Sequence, residues 1–555
     1  MLTAILALSL LQNPAPRATI AERIQRYSLD FDALQRANGV RGSPRGEERM
    51  ARFLDEQRAA LGGIDYAALP LEEQLDLVQF ERLLERESVR RARERTRASE
   101  VQLWLPFRQA LIELCEDRSR KPAQAAGDLD RLRREIAGWR EQSRRNKPKP
   151  SLAARASELL EALRSDLEEW KGWRASYDPE FDWWCAEPLA ALLKELGEYR
   201  RELKEEVAGL KGGDDEPVVG DPILREALVE ELQAAAIAYT PEELLEIAER
   251  EYAWCLERML DASRRMGCGD DWKAALEKVK RDHVEPGEQP KLIHDLAREA
   301  EEYLETNQLV TIPPLAKEVW RMEMMSKERQ LVSPFFTGGE VISISFPTAD
   351  MTYEQKLMSL RGNNRHFARA TVHHELIPGH HLEAFQTQRH FPHRRVFATP
   401  FYWEGWALWW ELFLWERGFQ KTPENEVGML FWRMHRCVRI QFSLSFHLGK
   451  LTPAECVDLL VDKVGHERRN AQAEVRRSFN GSYGPLYQIA YLVGGLQFRE
   501  LYRELVSETK QYSVREFHDT ILSGGSMPIE FVRFRLKKQA PARDFSPAWR
   551  FYPLH

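Results

Sequence analysis

Fourteen histidines occur in the chain of 555 residues, and seven of them, His366, His373, His374, His380, His381, His390 and His393, fall in one short stretch. Its centre reads Thr371-Val372-His373-His374-Glu375-Leu376-Ile377-Pro378-Gly379-His380-His381-Leu382-Glu383. Neutral imidazole is a standard zinc ligand, and a carboxylate beside it can take a proton from water at such a metal. The familiar arrangement sets two histidines at i and i+4 on one helix face, with the acid next to the first. Here Pro378 stands at i+4 from His374, lacks a backbone donor and crowds the preceding turn, while Gly379 allows unusual backbone angles. The spacing therefore predicts a helix from Arg365 to Glu375 with a kink or bulge at Pro-Gly. That bulge absorbs two residues and brings His380 to the place of the second ligand. His381 is the rival: i+7 returns to the same face, but a straight helix puts it about 10 Å along the axis. It is otherwise expected beside the ligands rather than among them. Glu375 is the expected general base.

A third ligand is sought because catalytic zinc takes three protein ligands and a water. Thirty residues on, Phe401-Tyr402-Trp403-Glu404-Gly405-Trp406-Ala407-Leu408-Trp409-Trp410-Glu411 reads as a buried helix. Two carboxylates on so apolar a helix need partners, since an unpaired buried charge is costly. Glu404, followed by the small Gly405 and Ala407, is the expected ligand to one Zn2+, and Glu411 is expected to hold a ligand histidine through its other ring nitrogen.

These residues require helices to carry them. Apolar positions recur at helical spacing over most of the chain. Helices are expected at Ser151–Trp170 with Ser151 as a cap, after Thr240-Pro241-Glu242-Glu243, and at Tyr353–Leu360, Glu404–Glu416, Glu424–Leu448 and Thr452–Val464. One strand is expected, Val341–Phe346, in which Ile342, Ile344 and Phe346 alternate with serines. The Gly, Pro and acidic residues of 211–222 mark a loop or boundary. The chain is thus read as mostly α, with a small β element near the histidines. Residues 17–215 form an N-terminal helical region and 222–555 a helical catalytic region continuous with it.

Hydrophobic residues make up 43% of the chain and its net charge is −7, with no long basic block, so no nucleic-acid partner is expected. Residues 1–16 open on the apolar run MLTAILALSLLQ, read as a signal peptide or a disordered N-terminus. Export is expected, and a cytoplasmic location is the alternative. No stretch is long enough for stable membrane insertion. The six cysteines form no C-x-x-C pair, which argues against a cysteine zinc site.

The pattern His-Glu-x-x-Pro-Gly-His-His-Leu, followed by Glu-Gly-Trp-Ala, resembles the bacterial domain-of-unknown-function 885 family. That family is similar to the gluzincin metallopeptidases, among them carboxypeptidase Taq, thimet oligopeptidase and angiotensin-converting enzyme. The resemblance runs from about Pro313 to Leu505. It implies a large helical peptidase fold with a deep central groove, one zinc ion and short peptide substrates. It also implies that the strand carrying Ile342 and Ile344 pairs with substrate. The Gly- and Tyr-rich stretch 481–491 resembles a loop of thimet oligopeptidase whose tyrosine donates to the oxyanion, so Tyr487 or Tyr491 is expected in that role, with His466 as a further donor. Arg477 and Gln488 are expected to bind a substrate carboxylate. Two rival readings stand beside hydrolysis of peptide bonds: an inactive helical binding protein with a residual metal site, and a metal-dependent hydrolase of a non-peptide amide or ester.

Overall fold

A computed structural model describes residues 18–37, 39–212, 216–326, 329–330 and 336–554. The segment 1–16 lies outside the described residues. The fold is mostly helical, and the positions of the helices follow from local chemistry. Proline opens the helices Pro122–Arg145, Pro179–Arg201, Pro241–Arg265, Pro400–Glu416, Pro423–His447 and Pro453–Val464, where its missing N–H costs nothing. Thr240 and Thr452 close full capping boxes with Glu243 and Glu455. Ser151 does not cap: the helix starts one residue earlier, at Pro150, and Ser151 lies within its first turn.

Among the described residues the β structure is one pair. β1 (Arg321–Met324) runs parallel to β2 (Val341–Ile344), with Arg321 opposite Val341 and Met324 opposite Ile344. β1 was not legible beforehand because Arg321-Met322-Glu323-Met324 has no apolar alternation.

The apolar side chains gather in several cores. The largest surrounds the aromatic helix Pro400–Glu416 and draws on residues from Leu75 to Leu554. A second lies within Val101–Ala208, and a third joins Ile20–Leu84 to Phe397. The expected N-terminal region thus contains two differently anchored parts. Its first helices are tied to the C-terminal half by Arg394, fully buried, whose Nε donates to Asp76 at 2.7 Å.

A close helix crossing positions the site. Pro400–Glu416 meets Tyr487–Tyr502 backbone to backbone: a Cβ on Gly405 would lie 2.6 Å from the Gly494 Cα, and one on Gly494 would lie 2.2 Å from the Phe401 carbonyl oxygen. The close packing inferred from Gly405 is therefore observed, with Gly494 as its other half. Gly494→Ala is expected to destabilise the protein by about 1–3 kcal/mol through overpacking. Gly127→Ala, in the open interior of Pro122–Arg145 with nothing within 4 Å, should instead gain about 0.5–1 kcal/mol. Urea unfolding of both variants checks this; equal stabilities would mean that the two helices do not touch at Gly494.

Candidate metal centre

The helix Arg365–Glu375 starts where the Asn364 side chain accepts from the His366 and Phe367 amides, and it stops at Glu375. The Pro-Gly interruption is a complete break rather than a bulge. Leu376 leaves helical geometry at φ −108°, ψ −108°, and a separate helix, His380–Thr387, begins after Gly379. The Gly379 amide donates to the His373 carbonyl at 3.0 Å. A Cβ there would sit 1.8 Å from the His374 carbonyl oxygen, so only glycine fits. The Trp406 indole donates to the Pro378 carbonyl at 2.8 Å, which locks the break onto the helix that bears Glu404.

This break brings the two expected imidazoles together. The rings of His374 and His380 are 4.8 Å apart and perpendicular. Their Nε2 atoms lie 3.7 and 3.3 Å from Glu404 Oε2. Ligand atoms of His374, His380 and Glu404 all fall within 4.8 Å of one another. Glu404 Oε2 is buried and accepts no hydrogen bond, an orphan that a cation would satisfy. On its far side, His374 Nδ1 is 2.7 Å from Glu411 Oε1. His381, the rival ligand, points elsewhere: its Nε2 lies 2.7 Å from the Ala316 carbonyl oxygen. Burial disfavours a charged His374, yet Glu404 and Glu411 raise its pKa to about 9. Burial likewise opposes ionisation of Glu404, but His380 and His374 hold its carboxyl well below the usual range. The pocket therefore draws in positive charge, as protons or as a metal.

A cavity of ≈ 380 Å³ opens onto this cluster, and Glu375 lines it with Glu404, Tyr487 and Tyr491. Burial raises the Glu375 pKa above that of an ordinary carboxyl, the direction that suits a base. The Tyr487 hydroxyl donates to Glu404 Oε1, and the Tyr491 ring lies 6.2 Å from that of His374, nearly parallel to it. Burial raises the pKa of both phenols, so they stay protonated donors.

Four expected site residues are placed differently. Ile342 and Ile344 are fully buried by face packing in a core with Val372 and Leu376, and both edges of β2 are already paired, by β1 and by an antiparallel bridge from Thr337 to Ser343, so neither its side chains nor its edges are open to the cavity. The backbone that faces the cavity is instead Phe336–Gly339, where the Gly339 amide donates to the Glu375 carbonyl at 3.1 Å. His466 does not line the cavity; its Nε2 is 2.8 Å from His435 Nδ1, and burial keeps it neutral with a pKa near 3. Gln488 lies behind the wall, where its amide donates to Glu474 Oε1 at 2.9 Å. Arg477 does line the cavity.

Sequence reasoning missed Arg436, Arg439, Glu383 and Tyr483, which also line the cavity. A signal existed for the arginines: they interrupt the apolar run of a helix already expected at Glu424–Leu448, and buried guanidiniums need a reason. Glu383 lies one turn after His380, and burial raises its pKa to about 7.

The sequence matches the family described as "Bacterial protein of unknown function (DUF885)" over residues 39–536. The chain belongs to this family. No curated protein matches it. Among solved structures, the fold is similar to "a putative lipoprotein of unknown function from Shewanella oneidensis", with TM-score 0.70 and 17% identity, covering 94% of this chain and 100% of that one. It is also similar to "the putative lipoprotein from Colwellia psychrerythraea", with TM-score 0.59 and 15% identity, covering 94% and 99%. No helix among the described residues is long and apolar enough to cross a membrane.

The cavity wall contains a test of buried charge. Burial would raise the Glu474 pKa, but Arg439 and Arg477 hold it at about 2, well below its ordinary 4.5. Its stabilising contribution is therefore complete above pH 4.5 and is lost as pH falls towards 2. Glu474→Gln is expected to cost about 3–5 kcal/mol at pH 7, by leaving the guanidiniums uncompensated. The variant should also flatten the stability profile between pH 4.5 and 2, measured by denaturant unfolding. A variant profile as steep as that of the parent would show that another group controls the acid limb.

Proposed function

We propose that this protein is a zinc-dependent hydrolase of peptide bonds in short peptides, of gluzincin type. One observation carries the reading: a buried carboxylate oxygen without a hydrogen bond, Glu404 Oε2, faces the Nε2 atoms of His374 and His380, while Glu375 lines the same cavity. Two imidazoles and a carboxylate are a catalytic zinc donor set that leaves a position open. A structural site would have four protein ligands, and among the described residues the cluster has three. A zinc ion held there would supply Lewis acidity towards a carbonyl and a water.

The remaining roles belong to the chain. Glu411 fixes the His374 ring through Nδ1, so that Nε2 faces the cluster. Glu375, poorly solvated, accepts a proton from the attacking water and passes it to the leaving amine as the C–N bond breaks. Tyr491, or Tyr487 once released from Glu404, donates its hydroxyl to the oxyanion. The backbone of Phe336–Gly339 presents polar groups to an extended peptide along the cavity. A cavity of ≈ 380 Å³ admits a few residues and excludes a folded protein. Export completes the proposal, supported by the apolar N-terminal run and by the lipoprotein descriptions of the two structural relatives.

Elemental analysis with a peptide-pool digest tests the assignment. The parent protein should hold one zinc per chain and cleave peptides. Glu375→Gln should keep the metal and lose at least about 100-fold in rate, in line with the loss of a general base. Glu404→Ala should lose the metal. Tyr487→Phe should keep the metal and lower the rate. Unchanged hydrolysis by Glu375→Gln would overturn the role of the base, and a metal-loaded parent that digests nothing would favour the reading as an inactive binding protein with a residual metal site.

A further inference from the structure

One carboxylate in the cavity wall has no part in the proposed reaction. Glu404 faces the two imidazoles and Glu375 accepts the proton, but Glu383 lines the same cavity and does neither. It lies on the helix His380–Thr387, one turn after His380, and is only 6% exposed. Its contacts are with hydroxyls. Thr387 Oγ1 donates to Oε1 at 3.2 Å, and Ser526 Oγ, from the segment after Val514–Leu522, reaches the same oxygen at 3.5 Å. The charges that act most strongly on Glu383 are those of His380 and Glu404, and no lysine or arginine pairs with it among the described residues.

A buried carboxylate without a cation is costly, and few are kept without a use. Glutamine would make the same hydroxyl contacts without that cost, so the charge itself needs a reason. A metal at the cluster does not supply one, because Glu375 and Glu404 already match the charge of Zn2+ in the same cavity. The cavity's own arginines do not supply it either. Arg436 and Arg439 are held against the Tyr491 ring, and Arg477 pairs with Glu474. Half-buried Trp403 lines the cavity too, and an indole face attracts a cation. Side chains three apart on a helix are neighbours, with about 5–6 Å between Cβ atoms, and one extended residue spans about 3.5 Å. A cation at Glu383 therefore belongs to the substrate residue beside the bond that faces His380 and Glu375.

Resting on the peptidase reading, we propose that Glu383 is a specificity-determining residue that binds an ammonium group on the substrate residue beside the scissile bond. Two groups of a peptide have that chemistry: the free α-ammonium of an N-terminal residue and the side chain of a lysine. Either gains a charge-assisted hydrogen bond to a poorly solvated carboxylate. An uncharged group in the same place would leave that carboxylate uncompensated, so the cation is selected rather than merely tolerated.

Three peptide carboxamides test this: uncharged N-acetyl-Ala-norleucine-Ala, N-acetyl-Ala-Lys-Ala, whose only cation is a side chain, and Ala-norleucine-Ala with a free amino terminus. Binding is measured by calorimetry on Glu375→Gln with zinc supplied, so that turnover does not intervene, and hydrolysis is measured on the parent with zinc. At least one ammonium peptide should bind about tenfold or more tightly than the uncharged one, the gain of one charge-assisted hydrogen bond, and should show a similar advantage in kcat/KM. A preference for the lysine peptide assigns the side chain, and a preference for the free amine assigns the amino terminus. Adding Glu383→Gln should bring the ratio close to one while affinity for the uncharged peptide and zinc content stay the same. Its urea midpoint should not fall, because glutamine keeps the hydroxyl contacts. Equal binding of all three peptides before that change overturns the subsite, whether or not any is cleaved. A preference that survives Glu383→Gln overturns it as well, and so does failure of that variant to fold, which would make the carboxylate a structural group. An ammonium preference without any cleavage by the parent supports the subsite and instead overturns the peptidase reading.

Discussion

The organising constraint is the cost of burying Glu404 and Glu411 on a helix of tryptophan, phenylalanine and leucine. Both carboxylates are buried, so each must find positive charge or hydrogen-bond donors inside the protein. His374 meets both, with Glu411 on one ring nitrogen and Glu404 near the other, and His380 and Tyr487 complete the surroundings of Glu404. Nearby packing serves this arrangement. Gly405 and Gly494 let two helices touch, so that Tyr487 reaches Glu404, and the break at 376–379 turns the chain so that His380 does too. An isolated Glu404 would be expelled or protonated. In this company it stays ionised and poised towards a cation.

The clustering of His374, His380 and Glu404 was legible because its chemistry is local. His374, Glu375 and His380 lie within seven residues, and Glu404 stands out as an acid in an aromatic helix. The helix spans were legible for a similar reason, since Thr-Pro caps and apolar periodicity act over a few residues. The mechanism that joins the two histidines was read less well. Proline and glycine announce an interruption, but whether a helix bulges or stops depends on what holds the far side. Here the Trp406 indole and the close approach of Gly379 to His374 do so, and both involve contacts that a linear pattern does not encode.

Cavity-facing positions were the hardest to foresee, and for one physical reason. Alternation identified β2 as a strand with a buried face, but not that both of its edges are paired. The side chains of Ile342 and Ile344 pack into a core with Val372 and Leu376, and the neighbouring Phe336–Gly339 lines the cavity. His466 and Gln488 are polar groups of a type that recurs in active sites, yet buried polar groups also serve one another: His466 meets His435, and Gln488 supports Glu474. Residue type cannot separate these uses, because the same hydrogen-bonding capacity satisfies either. What separates them is whether a donor remains unspent at a cavity wall.

By that criterion Arg436, Arg439 and Arg477 stand out, since each keeps a buried nitrogen without a hydrogen bond while sharing the cavity with Glu375, Glu383 and Glu404. The guanidinium carbons of Arg436 and Arg439 lie 4.6 and 4.5 Å from the Tyr491 ring centroid, where the π face attracts a cation. The same ring lies nearly parallel to that of His374, which Glu411 holds on its other side, and Glu411 is in turn 3.8 Å from Arg436. One aromatic side chain therefore packs against both the histidine of the acidic cluster and the buried arginines, and a change to Tyr491 would disturb both together.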